Sequence, residues 1–244
     1  MLRTIIVLLF VVIFLIISIP IWLILAIIGL FNKEAKDKIG FAIVSGAFHI
    51  VWLLAGTKPT VIGKEKIPSD KPVLYVGNHS SYFDVVLAYS LCPNVTGFLS
   101  KKEFEKVPLL SVWMHMLYCI FLTRKDPRED LKLIIKAQEY IKSGISMFVF
   151  PEGTRSKTGE LAEFHEAVFK IATKTGCPIV PVAFTGTRDI FENNAPRIKK
   201  TKVYITYLDP VDPAALEGED KKHPGAYIQR LIQAQLDADS KLPR

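Results

Sequence analysis

From Ile5 to Phe31 the chain carries no charged residue. At ~1.5 Å per helical residue the run reaches about 40 Å, more than a hydrocarbon core of ~30 Å. It is too long for a signal peptide, and no small-x-small cleavage site follows it. Pro20 is expected to kink or tilt it. A polar knot, Asn32 to Lys38, interrupts the apolar pattern. A second, weaker apolar run follows from Ile39 to Gly56, with Gly40, Gly46, His49 and Trp52 inside it. It reads either as a second membrane helix or as one lying in the interface with Trp52 near the headgroups. Residues 1–56 are therefore expected to form a two-helix membrane-anchoring hairpin, and 57–244 a separate α/β domain.

Composition supports attachment to lipid. Half of the residues are hydrophobic and the formal net charge is +7. The positive excess is dispersed, which suits an anionic membrane surface better than a nucleic-acid groove, and no nucleic-acid-binding signature is present. Three cysteines, Cys92, Cys119 and Cys177, lie far apart with no CxxC among them. That spacing supports neither a disulfide framework nor a zinc site and points to a reducing compartment. The α/β domain is accordingly expected on the cytoplasmic face.

Beyond Lys58, strand-like and helix-like segments alternate. Strands are expected at Pro59–Gly63, Pro72–Val76, Val95–Ser100, Cys119–Thr123, Ser146–Phe150, Ile179–Phe184 and Lys202–Leu208. Helices are expected at about 82–91, 109–116, 130–142, 164–175 and 225–239. The fold class implied is α/β: a mixed, mostly parallel seven-stranded sheet flanked by helices.

Standard catalytic signatures are missing. There is no G-x-S-x-G elbow, no P-loop and no G-x-G-x-x-G fingerprint. His165-Glu166 opens like a zinc-protease motif, but Phe169 stands where its second histidine belongs, so no metal site is expected. Polar residues instead recur where strands end. His79 and Asp84 follow the second strand, Lys101 the third, Arg124 the fourth, and Glu152, Gly153, Thr154 and Arg155 the fifth. If those strands run parallel, these groups gather at one sheet edge, and basic residues beside a His–Asp pair suit a phosphate. Gly153 allows backbone N–H groups to approach an anion, and Thr154 adds a hydroxyl. The stretch Asn78 to Asp84 has two readings. In one, Ser81 and Asp84 cap a helix and His79 is an ordinary loop histidine. In the other, His79 folds back over the first turn and Asp84 orients its imidazole.

Four blocks in order resemble the glycerolipid acyltransferases of the 1-acylglycerol-3-phosphate (lysophosphatidate) type. Asn78-His79-Ser80-Ser81-Tyr82-Phe83-Asp84 is similar to their N-H-x-S-x-x-D block with its H-x4-D core, and Ile120 to Arg124 to their second block. Phe150 to Ser156 matches F-P-E-G-T-R-S, and Ile179 to Ala183 resembles the fourth block. The likeness covers roughly residues 58 to 210. One departure stands out: a common F-x-x-G with basic residues is here Phe164-His165-Glu166-Ala167.

The resemblance implies acyl transfer from acyl-CoA or acyl carrier protein to the free hydroxyl of lysophosphatidic acid, giving phosphatidic acid in phospholipid biosynthesis. It assigns His79 as general base and Asp84 as its partner. Glu152, Gly153, Thr154 and Arg155, helped by Arg124 and Lys101, would bind the acceptor phosphate. No cofactor or metal is implied. The membrane would supply the acceptor and take the product. Other classes remain: an acyltransferase for another lysolipid, a thioester hydrolase, or a non-catalytic lipid-binding protein.

Overall fold

The computed structural model describes residues 1–123 and 126–243. Seven strands form one sheet: β1 (Lys58–Ile62), β2 (Leu74–Gly77), β3 (Thr96–Lys101), β4 (Ile120–Leu122), β5 (Ser146–Val149), β6 (Ile179–Thr185) and β7 (Lys202–Tyr207). Their order is β1-β7-β6-β2-β5-β3-β4. Every neighbouring pair is parallel except β6 with β7. The sheet is thus mixed and mostly parallel, as the alternation of segments implied. Parallel strands are buried on both faces, which explains why β2, β5 and β6 read as unbroken apolar runs.

Side chains alternate across the sheet. Tyr75, Phe148, Val182 and Phe184 point into one core, and Leu74, Val76, Met147, Val149 and Ile179 into the other. The first core is closed by α1 (Leu2–Ile17), α2 (Ile19–Phe31), α3 (Lys33–Leu54), α4 (Tyr82–Leu91) and α5 (Leu110–Met116). The second is closed by α6 (Pro127–Lys142), a 3-10 turn at Glu166–Phe169 continued by α7 (Lys170–Thr175), and α9 (Pro224–Asp239), which a short α8 (Gly218–Lys222) precedes.

The N-terminus is helical as expected but divides into three helices rather than two. The apolar run breaks at Ser18, with a 46° bend between α1 and α2. Pro20 sits in the first turn of α2, where its missing N–H costs no hydrogen bond, so the break falls before the proline. Ser18 is fully buried, and its hydroxyl accepts from Trp113 Nε1 at 2.9 Å. The polar knot is not a loop. Asn32 caps α3 by accepting from the Ala35 N–H, and Lys33 to Lys38 form its opening turns. α3 is long and apolar enough to cross a membrane, as are α1 and α2 taken as one bent segment. Yet α3 also packs on α4: Trp52 Nε1 bonds Ser90 Oγ at 3.2 Å, and Phe41 and Phe48 meet the Tyr89 ring.

Candidate active site

The junction between β2 and α4 turns on Asp84. Its Oδ2 accepts the backbone N–H groups of Ser80 and Ser81, both at 2.7 Å, and lies 3.0 Å from His79 Nδ1. Ser81 caps α4 by accepting the Phe83 N–H at 3.0 Å. One carboxylate therefore both completes the helix cap and meets the His79 ring. His79 lies before the helix, so its ring can fold back over the first turn, which an i, i+5 pair on continuous helix could not do. Asp84 is fully buried, while the His79 side chain keeps 16% exposure. The imidazole stacks on the Phe150 ring at 4.3 Å between centroids. With Nδ1 held by Asp84, Nε2 is the nitrogen left for a substrate proton.

Because β2, β5 and β3 are adjacent and parallel, their C-terminal ends open on one edge. There His79, Lys101, Gly153 and Arg155 line a cleft of about 420 Å³ together with Tyr82, Phe98 and Phe104. Lys101 Nζ lies 3.2 Å from Thr154 Oγ1, so the hydroxyl accepts from the ammonium. Gly153 closes a turn onto the Phe150 carbonyl with φ of 75°, a left-handed conformation that glycine adopts without strain. Gly77, the last residue of β2, serves packing instead. A Cβ there would meet the Phe184 ring at 2.8 Å.

Glu152 turns inward. One carboxylate oxygen accepts the His79 N–H and the other the Ala162 N–H. Burial pushes its carboxyl above the usual carboxylate range, although those two N–H bonds pull the other way. Both oxygens are taken up as acceptors, and Glu152 thereby ties the loop after β5 to the His79 backbone. The Ser156 N–H completes that tie by donating to the His79 carbonyl at 2.8 Å. Arg124 lies outside the described residues.

Several contacts at this edge were not expected from sequence. Asn78 makes a two-way bond with the Phe184 backbone, donating at 3.0 Å and accepting at 2.8 Å, and so extends the β2–β6 ladder past its last pair. Thr187 and Arg188 follow β6. Thr187 Oγ1 lies 3.3 Å from Ser80 Oγ, and Arg188 donates to the carbonyls of Ser156 and Lys157. Glu192 meets both Arg155 and the start of α4. The signal that could have found them is topological: β6 lies beside β2, so the segment after β6 must border the segment after β2. The departure at Glu166 also finds its reason. Its carboxylate accepts the N–H groups of Gly225 and Ala226 and caps α9, while His165 lines a neighbouring cleft.

A chloroplastic 1-acyl-sn-glycerol-3-phosphate acyltransferase from Brassica napus is 40% identical over 134 residues, 54% of this chain and 39% of that one. The protein of the same description from Borreliella burgdorferi is 29% identical over 202 residues, 82% of this chain and 80% of the other. The chain thus matches well under half the length of the chloroplast relative but most of the bacterial one. The crystal structure of the 1-acyl-sn-glycerophosphate (LPA) acyltransferase PlsC from Thermotoga maritima covers 99% of both chains with a TM-score of 0.79 at 24% identity, a likeness of fold. The profile of the family described as Acyltransferase matches residues 58–185, which span β1 to β6 and carry His79, Asp84 and Arg155. With more than half of its length in that match, the chain belongs to the acyltransferase family.

Proposed function

We propose that the protein transfers an acyl group from a thioester donor, acyl-CoA or acyl carrier protein, to the free hydroxyl of 1-acylglycerol 3-phosphate, giving phosphatidic acid. One observation carries this reading. A histidine held at Nδ1 by a buried carboxylate opens into the same cleft as Lys101 and Arg155. That pairs a general base with a cationic wall, which suits an acceptor bearing a hydroxyl and a phosphate.

The chemistry follows from the positions. His79 Nε2 takes the proton from the acceptor hydroxyl, and Asp84 stabilises the imidazolium that forms. The oxygen attacks the thioester carbonyl, the tetrahedral intermediate collapses, and the thiolate leaves with the proton from His79. Asp84 remains ionised throughout, as an orienting carboxylate should. Direct transfer is favoured over a cysteine-bound intermediate. Burial pushes the Cys92 and Cys119 thiols up to about 12 and raises that of Cys177, whereas a nucleophilic cysteine needs a lowered value. Protein and substrates handle every proton and electron pair, so the scheme calls on no cofactor or metal.

Arg155, Lys101 and the backbone at Gly153 would bind the acceptor phosphate, with Thr154 holding the Lys101 ammonium. Glu152 would hold the two loops together. A second cleft of about 480 Å³ shares Leu99, Phe150 and Gly153 with the first and is lined by Leu122, Leu131, Ile134, Val149 and Val168. Its apolar walls suit a hydrocarbon chain. Exposed Leu8, Leu9, Val12 and Ile16 on α1, and Leu23, Ile24, Ile27, Leu30 and Phe31 on α2, give the domain a face for lipid. α3 shares Val44, Val51 and Trp52 with the domain core. Residues 1–56 therefore fit a hairpin lying in the interface on one side of the bilayer, the cytoplasmic one.

The test is purified protein with labelled acyl-CoA or acyl carrier protein and a panel of lysolipids. Phosphatidic acid is expected as the product, and His79→Ala should abolish it while the variant stays folded. Thioester consumption without any acceptor would make the protein a hydrolase and overturn the reading.

A further inference from the structure

Arg155 is the cation that lies beside the base, and its hold on position does not come from its own loop. Its guanidinium lies over the Tyr82 ring, 3.5 Å from the centroid. Its Nη1 donates to Glu192 Oε1 at 3.1 Å. The same Oε1 accepts the Tyr82 backbone N–H at 2.8 Å. Glu192 comes from the short turn after β6, beyond the residues the family profile matches. One carboxylate oxygen thus fixes both the arginine and the ring beneath it.

The second oxygen shows what the charge is for. Glu192 Oε2 is buried and makes no hydrogen bond among the described residues. A buried carboxylate oxygen left unbonded is costly. If Glu192 only capped α4, a neutral amide would accept the Tyr82 N–H equally well at lower cost. What the negative charge adds is the pair with Arg155. Among the described residues only Nη1 donates a hydrogen bond, so the rest of the guanidinium edge stays available to an anion in the cleft.

We propose that Glu192 is a positioning residue that holds Arg155 flat on Tyr82 and so presents it, preorganised, to the acceptor's phosphate. This rests on the acceptor assignment given above and adds what sets the arginine's affinity. A free arginine must give up rotamer freedom when it binds; here the Glu192 carboxylate and the Tyr82 ring already order the side chain.

The experiment is steady-state kinetics on Glu192→Gln, Arg155→Ala and the double variant, with lysophosphatidic acid and acyl-CoA varied separately. Glu192→Gln keeps an oxygen for the Tyr82 N–H and removes the charge. It should raise the acceptor KM about fivefold, the size of a partly exposed ion pair with its ring contact, and leave the donor KM unmoved. In the Arg155→Ala background it should add nothing, because there is no guanidinium left to place. Tyr82→Leu, which keeps the backbone N–H, should raise the acceptor KM in the same way. Additive effects in the double variant would overturn the proposal, as would an acceptor KM unchanged by Glu192→Gln when Arg155→Ala raises it. A lowered melting temperature with both KM values and kcat displaced together would make Glu192 a structural cap and overturn it too. If Arg155→Ala itself leaves the acceptor KM alone, the phosphate assignment fails and this inference with it.

Discussion

Two loops meet at the carboxyl edge of the sheet, and their side chains are anchored differently. The His79 ring is held locally, although the backbone around it is tied to Glu152, Ser156 and Phe184. Asp84 Oδ2 gathers His79, Ser80 and Ser81, all within five residues of itself. The loop after β5 is held from a distance. Arg155 reaches Glu192 across 37 residues, Arg188 reaches back 32 to Ser156, Thr154 meets Lys101 across 53, and Glu152 meets His79 across 73. The difference separates two jobs. A base needs its ring fixed against one carboxylate, and a helix start can do that alone. A site for a phosphate needs several cations converging, and cations repel unless distant acceptors keep each in place.

The largest effect should come from breaking the local loop. Asp84→Asn should lower turnover by ~10²–10⁴-fold, because an amide stabilises no imidazolium and can impose the wrong tautomer. Ser81→Ala removes only the side-chain cap, at roughly 0.5–2 kcal/mol of stability. Activity per folded molecule should survive it. If unfolding and rate assays showed Ser81→Ala as damaging to turnover as Asp84→Asn, capping and catalysis would not be separable here.

Breaking the distant set should cost less and show up differently. Arg188→Ala removes two bonds to consecutive carbonyls, from Nη1 to Ser156 and from Nη2 to Lys157 at 2.8 Å. Losing them should cost about 1–3 kcal/mol of loop order and raise the acceptor KM more than it lowers kcat. Arg188→Lys should recover part of this, since an ammonium lacks the planar fork that reaches both carbonyls. Faster hydrogen exchange at residues 156–160, with His79 to Asp84 unchanged, is the accompanying signature. Equal loosening of both loops would mean that they form one unit.

The same contrast decides what the sequence could reveal. The strand–helix alternation placed all seven strands to within about two residues of their observed ends, because apolar runs and breakers are local signals. His79 and Asp84 were legible as a pair with two readings, since they and the Ser80 and Ser81 N–H groups that Asp84 accepts lie in one short stretch. Glu192 and Arg188 were not legible. Their role depends on β6 lying beside β2, and no local pattern fixes strand order. The break at Ser18 escaped for the same reason: Trp113, which takes its hydroxyl, is 95 residues away. Glu152 reads from sequence as part of an anion site because the N–H groups it accepts, on His79 and Ala162, leave no local pattern.

Glu152 gives the smallest and most specific prediction, because it is where the two loops are joined. Burial raises its carboxyl in the folded protein above the unfolded value of about 4.3. The folded state therefore binds the proton more tightly, and this group's contribution to stability is greatest below the unfolded value. It is lost as pH rises through the folded value. Glutamine does not titrate, so the stability of the native chain minus that of Glu152→Gln should grow as pH falls through the raised folded value towards the unfolded one, against the usual acid trend of other carboxylates. At neutral pH the amide keeps one acceptor oxygen for two N–H donors, so either His79 or Ala162 loses its bond. Denaturant melts in detergent across that range would measure the difference. A difference constant with pH would mean that the N–H bonds from His79 and Ala162 offset the burial and leave the carboxyl unshifted.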